Sequence, residues 1–572
     1  MFQLSSANRV LSIVVMAAVV TLMAACGSSP SGATSKGSGK TSTPAAKGMA
    51  GVLNSEQNQG DAQWVSTLDP AIVTDSISIY DIELVNANLV KLDYPSLKVI
   101  PDLASRWTTS SDHMTYTFYI RPNAKFSNGD PVTAYDAAWS IARSLLPATK
   151  SPVATTYLGA ITGASAVAAG KATTVSGVKV MNAHTLQIHL DKPIAYFLGT
   201  LSYPTAEVLD PKVMKGQPAA SYLTNDCMGN VGAGPFEFVC RNSSNGKSSF
   251  YPSGRSPYMQ FKPNPYYYGA KPTIQIHAPF YATSDDSFHA FQAGQLDDSA
   301  VPTADLGVAQ KNPGFLKKSA LATDYITPNA QIAPFNNVHC RLAVSYAVDR
   351  VHITQDLLHG VEGPLYDVLP PGLVGYFSDG KSMGVPYYDT TKAKQELAMC
   401  PGHLSNAVMT YQNTSSDTVH EYDIIKGDLQ AIGANVTLKP LTFNSWLKVV
   451  GQTMMATKGQ ENITENLWLD DYPDAQDWMQ NLLYTGANYD IGGFSNPQYD
   501  KLVDAGNVEF NAAKRAQDYT QAQKIVLNDG GWIGVGYVDF VAVVNTSRVH
   551  GLIDSNYNLN PIGNDWSKVT VS

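Results

Sequence analysis

Four carboxylic acids fall within eight residues, Asp470, Asp471, Asp474 and Asp477, and two kinds of chemistry use such groups. Two carboxyls facing each other across a narrow gap act as acid and base in glycoside cleavage. The stretch Leu467-Trp468-Leu469-Asp470-Asp471-Tyr472-Pro473-Asp474 also sets its acids beside aromatics, and a carboxylate can serve as a partner for a cation. The residues alone also permit a third reading, because Asp before Tyr-Pro is a turn former. Other catalytic patterns are missing from the sequence. It contains no G-x-S-x-G elbow, Ser176-Gly177-Val178-Lys179 meets S-x-x-K only trivially, and the 11 histidines form neither HExxH nor any metal-ligand spacing. Ser35-Lys36-Gly37-Ser38-Gly39-Lys40-Thr41 imitates a phosphate-binding loop, but Thr34 stands where its first glycine belongs, and neither a strand nor an apolar helix flanks it. No metal and no cofactor is expected.

The leader carries its own signal. Val10 to Ala25 is an uncharged run too short to span a bilayer, and it ends in Leu22-Met23-Ala24-Ala25-Cys26. This reads as an export signal over residues 1–25. The junction resembles the lipobox of bacterial lipoproteins, which implies acylation of Cys26 and anchoring at the outer face of the cytoplasmic membrane. Residues 26–51 that follow are mostly Gly, Ser, Thr and Pro, a composition that buries no core and behaves as a tether. Four cysteines remain, Cys227, Cys240, Cys340 and Cys400, and an even number in an exported chain favours disulfides. Of the three possible pairings, 227 with 240 and 340 with 400 is preferred. Cys227 and Cys240 flank a turn entering a strand, and Cys340 and Cys400 lie on neighbouring helical patterns.

These groups need elements to hold them. Thr115-Tyr116-Thr117-Phe118-Tyr119-Ile120 alternates as a strand, and Asn128-Gly129-Asp130-Pro131 is a turn. A helix starts at Thr133 with Asp136 as its capping-box partner, and Ala138, Trp139, Ala142, Leu145 and Leu146 form its stripe. A second helix is predicted from Asn336 or Asn337 through Leu342, Val348 and Leu358 to Gly360, and a third from Ala513 to Leu527. Mixed strands and helices indicate an α/β architecture. With 572 residues, 44% hydrophobic and 10% aromatic, the chain has material for several large cores. Its net charge of −9 argues against nucleic acid as a partner.

The stretch Pro101-Asp102-Leu103-Ala104-Ser105-Arg106-Trp107, the strand ending in Arg121, and Lys125-Phe126-Ser127-Asn128-Gly129-Asp130-Pro131-Val132-Thr133-Ala134-Tyr135-Asp136 are similar to the signature of the extracellular solute-binding proteins, family 5. The likeness continues, in the family's order, through Gly232-Ala233-Gly234-Pro235-Phe236, Asn264-Pro265-Tyr266-Tyr267-Tyr268-Gly269 and Phe291-Gln292-Ala293-Gly294. It then runs through Ala347-Val348-Asp349-Arg350 and Leu369-Pro370-Pro371-Gly372 to Asn496-Pro497-Gln498-Tyr499-Asp500.

The resemblance implies a two-lobed, type II periplasmic-binding-protein fold of the large three-domain form, closing about a hinge on its ligand. It places domain I in 52–90, 216–322 and 535–572, domain II in 91–215 and domain III in 323–534, with domains I and III holding the site. It further implies a non-catalytic receptor, a monomer, that delivers di- or oligopeptides to an ABC permease and its ATPase subunits. By that likeness Asp471 pairs with the peptide ammonium, Trp468 and Leu469 lie beside it, and Tyr325, Asn329, Asp75 and Ser76 are further lining candidates. Some relatives have a basic residue six positions before that Asp, for the ligand carboxylate, where this chain has Glu465. Arg121, Asn128-Gly129 and Arg341 read as fold determinants rather than contacts. Family members also take nickel chelates, haem, sugars and opines, so the fold alone does not name the solute.

Overall fold

The computed structural model describes residues 51–56, 67–93, 96–216, 231–239, 241–242, 248–249, 258–281, 283–413, 415–442, 445–446, 448–449, 462–555 and 565–572. Cys26 with the export signal and tether, the Ser35–Thr41 stretch, and Cys227 and Cys240 lie outside the described residues.

The predicted strand Thr115–Ile120 buries Tyr116, Phe118 and Ile120 and turns the residues between them outward, the two-residue period read from its sequence. It is an inner strand of a four-stranded antiparallel sheet ordered Ala104–Thr109, Thr115–Ile120, Thr185–His189 and Val178–Asn182. Helix Ala134–Leu145 packs against this sheet, and at its expected capping box the Asp136 carboxylate accepts from the Thr133 amide at 2.7 Å and from the Thr133 hydroxyl at 2.8 Å. The buried face of this helix differs slightly from the predicted stripe. It includes Ala137, Ser140, Ile141 and Ser144, because Arg143 turns inward to a bidentate pair with the buried Asp69 at 2.9 and 2.6 Å.

A second four-stranded sheet joins Val52–Asn54, Gln275–Pro279, Tyr258–Pro263 and Phe236–Phe238. Gly232 and Gly234 precede its last strand and lie against the C-terminus of helix Ser76–Val85. A Cβ at Gly232 would fall 2.1 Å from the Val85 carbonyl oxygen and one at Gly234 2.6 Å from that of Asn86, so only glycine permits this approach.

The third sheet has seven strands and two long members. It runs Asp298–Ala300, Ile533–Val544, Phe315–Pro328, Ile463–Leu469, Val408–Gln412, Thr437–Leu441, with Glu362–Pro364 also paired to Ile533–Val544. The first four strands are antiparallel, and the Val408–Gln412 strand is parallel to both of its neighbours. Between Phe315–Pro328 and Ile533–Val544 the register shifts at Ser319/Thr323 and again at Asp324/Tyr325, so the ladder is broken along the middle of both strands. The largest apolar cluster extends from Phe118, Ile141 and Leu186 through Tyr157 and Tyr203 to Tyr472, Trp478 and Trp532.

The second predicted helix is corrected. Asn337 caps it as expected, its side chain accepting from the His339 amide at 2.8 Å, but the helix ends at Ala347 and a separate π-helical segment covers His352–Leu357. The break lies at Arg350, whose buried guanidinium donates to the Ser345 and Val348 carbonyls at 3.2 Å and to those of Leu365 and Gly534 at 3.0 and 2.7 Å. Those bonds complete the helix C-terminus and hold it to the central sheet. The third helix spans Ala512–Asp529 and ends on Gly530 at a φ of 70°. The Cys340–Cys400 disulfide is present, with Cα atoms 4.7 Å apart, and joins helix Val338–Ala347 to the C-cap of helix Thr390–Met399.

Candidate functional site

Strand Ile463–Leu469 pairs along its whole length with Phe315–Pro328, and this pairing delivers Asp470 and Asp471 to the point where the central sheet meets helix Ser76–Val85 and the Tyr203–Glu207 segment. The Asp470 amide donates to the Leu321 carbonyl at 2.9 Å, just where the long strands lose register. A cavity of about 250 Å³ opens there. Its wall includes Asp75, Ser76, Tyr325, Trp468, Leu469 and Asp471 among the residues singled out in the sequence.

Asn329 is the exception and does not line the cavity. It is buried beyond the far end of its strand, where its amide donates to the Asn462 carbonyl at 2.9 Å and its side-chain oxygen accepts from the Gln331 amide at 3.0 Å. Lys91, Asp102, Tyr203 and Glu207, all within residues 91–215, also line the cavity.

The four clustered acids separate by environment. Asp474 caps helix Ala475–Met479 and forms a bidentate pair with Arg515 at 2.7 and 2.6 Å. Asp477 is buried, accepting from the Trp468 indole at 3.0 Å, the Asp471 amide at 2.9 Å and the Asn481 side chain at 2.8 Å. Both are therefore committed to internal structure. Asp477 also positions Asp471, whose Oδ2 accepts from the Tyr157 hydroxyl. Tyr157 is in turn stacked on Tyr203 at 3.8 Å, and Trp468 meets the edge of Tyr489 at 4.9 Å. Burial pushes Asp471 up to about 7, and the hydrogen bond from the Tyr157 hydroxyl opposes that shift without cancelling it. Burial and the adjacent Asp471 hold Asp470 well above the usual carboxylate range.

Among the described residues six carboxyls line the cavity, those of Asp75, Glu83, Asp102, Glu207, Asp470 and Asp471, against one basic side chain, Lys91. Glu83, Asp102, Glu207, Lys91 and Tyr157 escaped the sequence reading. A signal for Glu83 existed, an acid within the apolar run Ile82-Glu83-Leu84-Val85, since carboxylates seldom sit among buried aliphatics without a task. Glu465 is not among the residues lining the cavity, and its carboxyl accepts from the Gln412 amide at 2.9 Å. The residues read as fold determinants do bind the framework. Arg341 joins Asp529 and the Phe335 carbonyl at 2.6 to 2.9 Å, and Arg121 donates to the Asp102 carbonyl at 2.7 Å. Among the described residues no group of three His, Cys, Asp or Glu side chains has a geometry for metal, and no helix is long and apolar enough to cross a membrane.

Comparison with known proteins places this geometry in a family. The chain is 27% identical over 507 residues to the dipeptide-binding protein DppE of Bacillus subtilis, covering 85% of this chain and 87% of that protein. It is 28% identical over 494 residues to heme-binding protein A of Haemophilus influenzae, covering 82% and 84%. In structure it is similar to the Escherichia coli murein tripeptide binding protein MppA, with a TM-score of 0.76 at 22% identity over 91% of this chain and 98% of that one. The fold is therefore the type II periplasmic-binding-protein fold. The family model described as bacterial extracellular solute-binding proteins, family 5 Middle, matches residues 98–490, well over half of the sequence, and the chain belongs to that family.

Proposed function

We propose that the protein is the extracytoplasmic receptor of an ABC importer, capturing short peptides and handing them to a membrane permease with its ATPase subunits. Asp471 carries this reading. It is an acid fixed by Asp477 and Tyr157 on the wall of the cavity, where burial raises its pKa, and an ammonium there would meet a carboxylate in low dielectric. Lys91 on the opposite charge balance gives the ligand carboxylate a partner, in place of the basic residue that Glu465 replaces. A cavity of about 250 Å³ lies at the small end of ligand pockets and suits a peptide of two or three residues better than a long one. DppE, whose name records dipeptide binding, supports the same class of ligand. Asp474 and Asp477 are engaged elsewhere, so the acid cluster offers no separated pair for hydrolysis, and the reading is of binding without turnover.

The division into domains I, II and III belongs to this proposal. Its boundaries at 322/323 and 534/535 fall in the two long strands, close to the broken register, and that irregular pair is suited to flexing as a hinge. Cys26 would carry a lipid and hold the receptor, a monomer, at the outer face of the membrane. Loss of acyl labelling in Cys26→Ser checks the anchor, and light scattering checks the monomer. The ligand itself is read by mass spectrometry of material released on mild denaturation. A short peptide with a free amino terminus is expected, and a haem, nickel chelate or glycan in its place sinks the peptide assignment.

A further inference from the structure

We propose that Glu83, Glu207 and Asp470 form a second cation subsite in this cavity, separate from Asp471, that reads a lysine- or arginine-type side chain. The inference rests on the peptide reading of the same cavity and narrows it to basic peptides. Its ground is a set of acceptors without donors. Glu207 is 2% exposed and its carboxyl takes a hydrogen bond from the Asn86 side chain, yet its Oε2 has no hydrogen-bond partner among the described residues. The same is true of Glu83 Oε2 and Asp470 Oδ2, and of the side-chain oxygens of Asn86 and Asn88, which are 5% and 6% exposed. All five residues line the cavity. Asn88 commits its amide nitrogen to the Ser202 carbonyl at 2.7 Å, so its oxygen remains for a ligand.

These acceptors come from three separate pieces of chain, a helix and its C-terminal exit, the segment after Tyr203, and the end of a central strand. Buried polar atoms are nearly always satisfied, and an unsatisfied acceptor carries a penalty of its own. An ammonium supplies three N–H donors and a guanidinium five, with no acceptor to conflict with the wall. A hydroxyl or amide side chain supplies fewer donors and no charge, and a carboxylate would be repelled. Charge balance points the same way. Burial keeps Glu83, Glu207 and Asp470 well above the usual carboxylate range while the cavity is empty, and a side-chain cation would favour their ionised forms where the zwitterion of a neutral dipeptide, with one cation and one anion, would not. Burial first, and then the neighbouring Glu207, Asp470, Asp102 and Asp471, raise Glu83 in this way.

Calorimetry on the purified full chain tests this with Ala-Lys and Lys-Ala against the norleucine dipeptides Ala-Nle and Nle-Ala, and with 1,5-diaminopentane. In each pair norleucine keeps the aliphatic stem and removes the ammonium. In the wild type at least one lysine peptide should bind about tenfold or more tightly than its norleucine counterpart. That ratio should fall to within about threefold in Glu207→Gln and in Glu83→Gln, both near-isosteric, with thermal melts reporting that each variant is folded. Lysine and norleucine peptides that bind equally well to the wild type overturn the subsite and leave the peptide receptor standing. A ratio unmoved in both variants also overturns it. Binding of 1,5-diaminopentane without any dipeptide keeps the subsite and removes the peptide reading, and binding of none of the five probes overturns the subsite.

Discussion

Asp471 meets two demands that oppose each other. The carboxylate must ionise to hold an ammonium, and its surroundings favour the neutral acid. The Asp471→Asn variant keeps size and the ability to accept from Tyr157, and it removes the charge. Truncating one partner of a buried charge pair costs on the order of 2–5 kcal/mol, so affinity should fall roughly 30-fold to several thousand-fold. Without ligand, melting temperature should hold or rise, because a charge that burial disfavours is gone. N-acetylation of the peptide should reproduce the loss in the wild type. The pH dependence has a definite sign. The ligand-free carboxyl titrates at about 7 and must be ionised in the complex, so affinity should weaken as pH drops from 8 to 5. Calorimetry decides, and binding by Asp471→Asn within about threefold of wild type returns the residue to a turn. Its position was legible because the aromatic and acidic neighbours lie in one short stretch. Tyr157 was not, since it reaches Asp471 across 314 residues and nothing local marks it.

At the scale of elements, periodicity identified the strand Thr115–Ile120 and the caps at Thr133 and Asn337 because each is settled by residues within a few positions of one another. The helix break before His352 was illegible for the opposite reason. Apolar spacing continues unbroken through Val348 and Val351, and the partners that end the helix are the Leu365 and Gly534 carbonyls, reached by Arg350 from distant sequence. The same region holds the disulfide, which closes a loop with a sequence separation of 60 between two buried half-cystines. A crosslink of that span restricts the unfolded chain by an amount worth about 2–4 kcal/mol. Cys340→Ala with Cys400→Ala should therefore lower the melting temperature by several degrees, and dithiothreitol should lower it in the wild type but not in the double variant. An unchanged melt in the double variant would show that the bridge adds nothing to stability.

The whole molecule is acidic and keeps several carboxyls buried outside the cavity, which gives its stability an uncommon pH dependence. Burial pushes Glu465 up to about 8, Asp324 up to about 6, and Glu56 and Asp490 up to about 7, against ordinary values near 4. Hydrogen bonds from Gln412 to Glu465 and from Ser287 to Glu56 oppose the shift without cancelling it. For each group the folded chain therefore binds a proton that the unfolded chain has already lost between about pH 4 and its own folded value. Since stability changes with pH in proportion to protons bound unfolded minus folded, it falls as pH rises through this window. The contribution is fully present below about pH 4 and is lost as pH passes 6 to 8, on the order of 3–5 kcal/mol for each such group. Ligand-free protein should melt higher at pH 5.5 than at pH 8. Glu465→Gln, which cannot ionise and still accepts from the Gln412 amide, should flatten part of that slope by holding stability at pH 8. Calorimetric melts across pH 5 to 8 measure both effects. A melting temperature that climbs with pH in this range would mean that these carboxyls are ionised and paired in the folded protein.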